Sequence, residues 1–137
     1  RELTSFINSN VPDFDNVFPP ETLISFLKNI NEVRNKCAHN NRLLNFKCRS
    51  NSTFWEIIHN EEILMGDDSR KTVYSTIIMC TFISLQCFIS GAKFNSLWNT
   101  LRKKVIKLDK KIPSLNINIV NRSLGFPDDW HKTPARK

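Results

Sequence analysis

Between Val33 and Arg42, ten residues carry two arginines, a histidine and three asparagines at the end of a segment with helical apolar spacing. A histidine titrates near neutral pH, so His39 can take or give a proton in a transition state. Arginine is no acid or base at this pH. Its planar fork matches two phosphate oxygens, and Arg34 can stabilise negative charge developing there. Together the two side chains suit phosphodiester cleavage. In RNA the neighbouring 2′-hydroxyl can serve as nucleophile, so this chemistry requires no metal.

The element that must position them follows from Leu23, Phe26, Leu27, Ile30, Val33 and Cys37, whose spacing predicts a helix from about Pro20 to about Asn41. Pro19-Pro20 opens it and Glu21 suits its positive end. Asn40-Asn41 can close it, because asparagine tolerates the left-handed conformation of helix ends. Asn35, His39 and Arg42 fall on one stripe, whereas Arg34 and His39 stand about 140° apart around the axis. Both groups acting on one phosphate therefore requires a distorted last turn or a second copy of the chain.

The stretch from Arg34 to Asn45, RNKCAHNNRLLN, resembles the R-N-x-C-A-H-x-x-R-L-x-N signature of the Abi-like (abortive infection) proteins, a branch of the HEPN superfamily. Leu124-Gly125-Phe126-Pro127-Asp128-Asp129-Trp130 is similar to the G-F-P-x-x-W close of the same family. The resemblance implies an all-α, HEPN-like bundle of four to five helices and a homodimer that joins two R-x4-H motifs. It also implies metal-independent endoribonuclease activity leaving a 2′,3′-cyclic phosphate, in phage defence or as the toxin of a toxin–antitoxin pair. By the same resemblance Arg34 and His39 are the catalytic pair and Asn35 the substrate positioner. Arg42 becomes an RNA contact and a protein or small-RNA antitoxin a possible partner, while Lys36 in the same stretch is a further candidate RNA contact. Members of the family are longer, and the chain begins at Arg1, so it is expected to be the C-terminal portion of such a protein. Other HEPN proteins bind RNA or nucleotides without cleaving. A non-catalytic binding module and an interaction or regulatory domain are therefore the alternatives.

With 137 residues, 40% of them hydrophobic, the chain has material for one core, and a single domain over 1–137 is expected. Twenty basic against 13 acidic residues give +7, a balance that favours polyanionic partners such as RNA and is also common on solvated surfaces. Cys37, Cys48, Cys80 and Cys87 sit mostly in apolar stretches with no signal peptide ahead of them, which reads as reduced and cytoplasmic. Cys37-x-His39 with Cys48 lacks the paired C-x2-C units of a zinc site, so no metal and no cofactor are expected. Cys37 continues the apolar stripe and is expected to point inward, which disfavours it as a nucleophile. The plain alternative for His39 is a helix-end cation near the last carbonyls.

Elsewhere the pattern predicts two helical turns within 1–10, a proline-rich connector over 11–20, and a polar segment over 43–53 whose Lys47 and Arg49 can meet a phosphate backbone. A short core helix follows around Phe54, Trp55, Ile57 and Ile58, with base stacking by Trp55 as the less favoured reading and His59 expected at the surface. After a loop over 65–69, with Asp68 or Ser69 as N-cap, a helix is predicted from about Arg70 to Ser90, ended by Gly91. No charge occurs from Thr72 to Ala92, but its many hydroxyl and amide side chains favour a buried bundle helix over a membrane span. Phe94, Leu97, Trp98, Leu101, Val105, Ile106 and Leu108 mark another helix, with a lysine-rich opposite face. Beyond Pro113, Ser114 is expected to cap a short helix, although Leu115, Ile117 and Ile119 also alternate as a strand would. Phe126 and Trp130 are expected to plug the bundle end, and 131–137 to be a frayed basic tail.

Overall fold

The structure is a computed structural model that describes residues 5, 19–53, 55–59 and 78–137. The expected helical turns at 1–10, most of the proline-rich connector, the 65–69 loop with its cap and the first part of the Arg70–Ser90 helix lie outside the described residues. What is described is all-α. Helix α1 spans Pro20–Ala38, α2 is the single turn Glu56–His59, α3 spans Ile78–Ser84, α4 Gly91–Lys111 and α5 Ile117–Ser123. Short 3-10 turns follow at Leu85–Cys87 and Trp130–Lys132. No described helix is long and apolar enough to cross a membrane.

Helix α1 begins where its sequence predicts and ends at Ala38, short of the expected Asn41, with the two asparagines closing it. Pro20 occupies the first turn, where its missing donor costs nothing, and the Thr22 N–H bonds the Pro19 carbonyl at 3.0 Å. At the other end Asn40 takes φ 50°, the Asn40 N–H bonds the Cys37 carbonyl and the Asn41 N–H bonds that of Lys36. This pairing is the Schellman closure, made with asparagine in place of glycine. The buried face, however, is rotated from the expected stripe. Thr22, Phe26 and Asn29 are buried, while Leu27 is 46% exposed and Cys37 is exposed rather than turned inward. The 48–53 segment packs along this rotated face. The Thr53 N–H bonds Ser25 Oγ at 3.1 Å, and the Cys48 thiol reaches the Asn29 carbonyl at 4.0 Å.

Helix α3 joins two apolar clusters. Met79 and Ile83 pack with Phe94, Trp98, Val105, Ile117, Phe126 and Trp130, whereas Phe26, Ile58 and Cys87 form a second group with Leu23, Ile30, Trp55 and Phe88 around it. A buried bundle helix is thus what 78–84 forms, with six of its seven residues buried. It stops before Gly91, which instead opens α4: Ser90 is the extended N-cap residue, and its carbonyl accepts the Phe94 N–H at 2.9 Å. The Leu115–Ile119 alternation resolves as helix. Its cap is Asn116 rather than Ser114, with the Asn116 side chain accepting from the Asn118 N–H at 3.0 Å.

His59 departs most from expectation, being fully buried. The Ser84 hydroxyl gives its proton to the Cys80 carbonyl at 2.9 Å, so Ser84 Oγ accepts from His59 Nε2–H at 3.2 Å. Nδ1 is then free to accept the Trp55 N–H at 3.0 Å, and Phe26 meets the ring edge-on. Burial depresses the imidazole pKa to about 4, against the opposing effect of hydrogen bonds to the Trp55 and Cys80 backbone. In the unfolded chain the group returns to about 6.5. Because the folded value is the lower one, its contribution is intact above pH 6.5 and fades as the pH falls toward 4. The expected loss is about 2 kcal/mol between pH 7 and pH 5. Urea unfolding at the two pH values measures it, and His59→Gln should flatten the difference.

The C-terminal residues are docked rather than frayed. Trp130 and His131 are buried, and the Arg136 guanidinium lies over the Trp98 ring at 4.2 Å. Asn99 brackets the Arg136 backbone, donating to its carbonyl at 2.8 Å and accepting its N–H at 3.0 Å. Gly125, at φ 83°, closes α5 by the same Schellman pairing seen at Asn40: the Phe126 N–H bonds the Asn121 carbonyl at 2.9 Å. Phe126 then stacks on Trp130 at 4.3 Å, plugging this end of the bundle as expected.

Candidate active site

One face of α1 presents Lys28, Glu32, Asn35 and His39, an i, i+4, i+7, i+11 series that runs straight along the helix. With Asn31 and Lys36 beside them, these residues form one wall of an open groove of about 470 Å³. The opposite wall comes from Asn41, Arg49 and Ser50, which the helix-ending turn and the following segment fold back toward α1. His39 stands at the C-cap of α1, its backbone N–H bonded to the Asn35 carbonyl at 3.1 Å and its side chain exposed.

Glu32 on one wall is tied to Arg49 on the other. The Arg49 N–H donates to Glu32 Oε2 at 3.0 Å, and Arg49 Nε lies 3.5 Å from Oε1. Lys36 is fixed by a different contact, its ammonium 5.1 Å above the Phe46 ring. Cations thus dominate the lining. An anion such as a phosphate is favoured at the His39–Lys36 end and disfavoured beside the Glu32 carboxylate.

Arg34 lies elsewhere. It lines an apolar cavity of about 330 Å³ with Ile30, Val33, Ile78, Thr81, Phe82 and Leu85, on a different face of α1. The two proposed catalytic side chains therefore open onto separate cavities of one copy, as their angular separation on the helix requires. Asn35 connects them: its Oδ1 accepts from the Arg34 guanidinium at 2.9 Å while its side chain lines the groove of His39.

Of the other expected contacts, Lys36 and Arg49 join His39 in the groove, whereas Arg42 and Lys47 are exposed outside its lining. Lys28, Asn31, Glu32 and Ser50 belong to it without having been singled out in the sequence. The helical series counted backwards from His39 was the signal for Lys28 and Glu32.

Cys37 is exposed and absent from the lining, and Cys48 is buried against Thr81, so the Cys37-x-His39–Cys48 set does not converge. Among the described residues no three His, Cys, Asp or Glu side chains are grouped as a metal ion would need. All four cysteines are free, and burial pushes the Cys80 and Cys87 thiols up to about 12.

The Arg34–Asn45 stretch is tied at its end to the last residue of α5. Asn45, at φ 60°, donates its N–H to the Ser123 carbonyl at 2.9 Å, one residue ahead of Leu124-Gly125-Phe126. Comparison with family models, with curated proteins and with solved structures gave no match.

Proposed function

We propose that this chain is a metal-independent endoribonuclease of the HEPN type, resembling the Abi-like proteins, with an active centre shared between two copies. The observation that carries the reading is the grouping of His39, Asn35, Lys36 and Arg49 around one open, basic groove. RNA threads this groove with a phosphate at the His39–Lys36 end. His39 relays the proton of the attacking 2′-hydroxyl or of the leaving 5′-oxygen, and Arg34 of the second copy binds the charge that builds on the phosphate. Atoms balance without water: the 2′-oxygen bonds to phosphorus as the 5′-oxygen leaves, giving a 2′,3′-cyclic phosphate and a 5′-hydroxyl. Asn35 holds the guanidinium of its own chain in the orientation the other site uses. Phage defence or a toxin–antitoxin pair, with a protein or small-RNA antitoxin, is the setting that fits such an activity.

One observation favours a second reading. In a single copy Arg34 and His39 do not share a cavity, so a chain that stays monomeric would bind RNA or a nucleotide through the same cations without cutting it. Incubation of the protein with end-labelled RNA in EDTA separates the two. Products ending in cyclic phosphate support the nuclease. Retention of intact RNA, weakening with a log–log salt slope of about −0.7 per phosphate contacted, supports the binder.

A further inference from the structure

We infer that Glu32 reads the base of the nucleotide bound in the groove and selects guanine. The inference rests on the groove being an RNA site. Among the described residues Glu32 is the one acidic residue lining the groove, its side chain 23% exposed among Lys28, Lys36 and Arg49. Even tied to Arg49, a carboxylate adds negative charge to a phosphate track, so this end of the groove favours a hydrogen-bond donor over a phosphate. Seven residues separate Glu32 from His39, a span of about 10 Å along the helix, comparable to the reach from a nucleotide's phosphate to the far edge of its base. A phosphate at His39 thus leaves Glu32 within reach of its base.

A carboxylate only accepts hydrogen bonds, and its two oxygens offer about four lone-pair positions. The Arg49 N–H takes one position on Oε2 and its guanidinium lies beside Oε1, so each oxygen keeps a further lone pair for a ligand. Guanine presents two parallel donors, N1–H and the 2-amino group, which match both oxygens. Adenine and cytosine offer an amino group beside a ring acceptor that the carboxylate repels. Uracil offers one N–H flanked by two carbonyls. Single-stranded RNA exposes these Watson–Crick edges, so the selection is by direct pairing.

The test measures binding of short 2′-O-methyl oligouridines carrying a central guanosine, inosine, adenosine or cytidine. These probes lack the nucleophile and stay intact. The guanosine probe should bind about tenfold tighter than all-uridine, with inosine, which lacks the 2-amino group, in between. Glu32→Gln keeps an acceptor for the Arg49 N–H and so keeps the loop in place. It should reduce the guanosine preference to about twofold or less while raising affinity for all-uridine.

An unchanged preference in Glu32→Gln, or equal weakening toward every probe, would overturn the inference, the latter by reducing Glu32 to a loop clamp. The matching ribo-oligonucleotides separate this from the nuclease reading. Cleavage without base preference leaves the nuclease and removes the base reader. Guanosine-selective binding without cleavage does the reverse, and no binding to any probe removes both.

Discussion

Replacing His39 by alanine should lower RNA cleavage about 10²–10⁴-fold, which is the usual contribution of a positioned general acid–base. At roughly 3–5 kcal/mol of barrier it is the largest effect expected of any single change to the groove. The substitution isolates chemistry from folding. His39 is exposed, and the closure of α1 runs through the main chain of Cys37, Asn40 and Asn41, so an alanine methyl removes no packing and no cap. Arg34→Ala should cost about 10²–10³-fold through lost charge stabilisation. Single-turnover cleavage in EDTA, followed by the appearance of cyclic-phosphate ends, reads both. Helical circular dichroism should not change. Cleavage that survives both substitutions would show that the activity belongs to something else.

Asn121→Leu is expected to be the most damaging substitution for stability, by about 3–5 kcal/mol. Asn121 is fully buried and uses every arm of its amide. Its Oδ1 accepts the Trp130 indole N–H at 2.9 Å, and its Nδ2 faces Asn118 Oδ1 at 3.0 Å and His131 Nδ1 at 3.3 Å. Leucine has a similar volume but leaves the indole donor and the imidazole acceptor buried without it, each at the full desolvation cost. The damage reaches further because Trp130 is wedged between Phe126 and Trp98, on which Arg136 lies. Against a typical total of 5–15 kcal/mol, a loss of this size lowers the melting temperature by roughly 10 °C or more. A drop under about 1 kcal/mol in urea unfolding would mean that the network holds nothing together.

The ends of α1 were legible because proline and asparagine act locally. Pro20 needs no partner for its N–H, and Asn40 can take a positive φ wherever the chain places it. The plugged end at Phe126 and Trp130 was legible for the same reason, since Gly125 dictates the turn. What was not legible came from distant partners. Nothing in Glu56–His59 tells that Ser84 and Phe26 will close over His59, nor that Asn99 and Trp98 will hold Arg136. The face that α1 buries, with Leu27 and Cys37 left exposed, is the one on which the distant 48–53 segment bonds the Ser25 hydroxyl and the Asn29 main-chain carbonyl. Gly91 misled because glycine serves either side of a helix boundary, and here the extended Ser90 fixed which side. In the site, the separation of Arg34 from His39 was readable from helix geometry alone. The role of Glu32 was not, because its partner Arg49 is brought to it by a turn.

Each active centre is proposed to take its histidine from one copy and its arginine from the other, and mixing of subunits reads this out. Arg34→Ala and His39→Ala proteins, each inactive alone, are unfolded together, refolded and assayed for cleavage in EDTA. In a two-fold dimer, random pairing makes half the dimers mixed, and each mixed dimer holds one intact centre. The mixture should therefore regain about a quarter of the wild-type activity. A mixture as inactive as its two components, while the wild-type protein cleaves and the variants still dimerise, would contradict the shared centre.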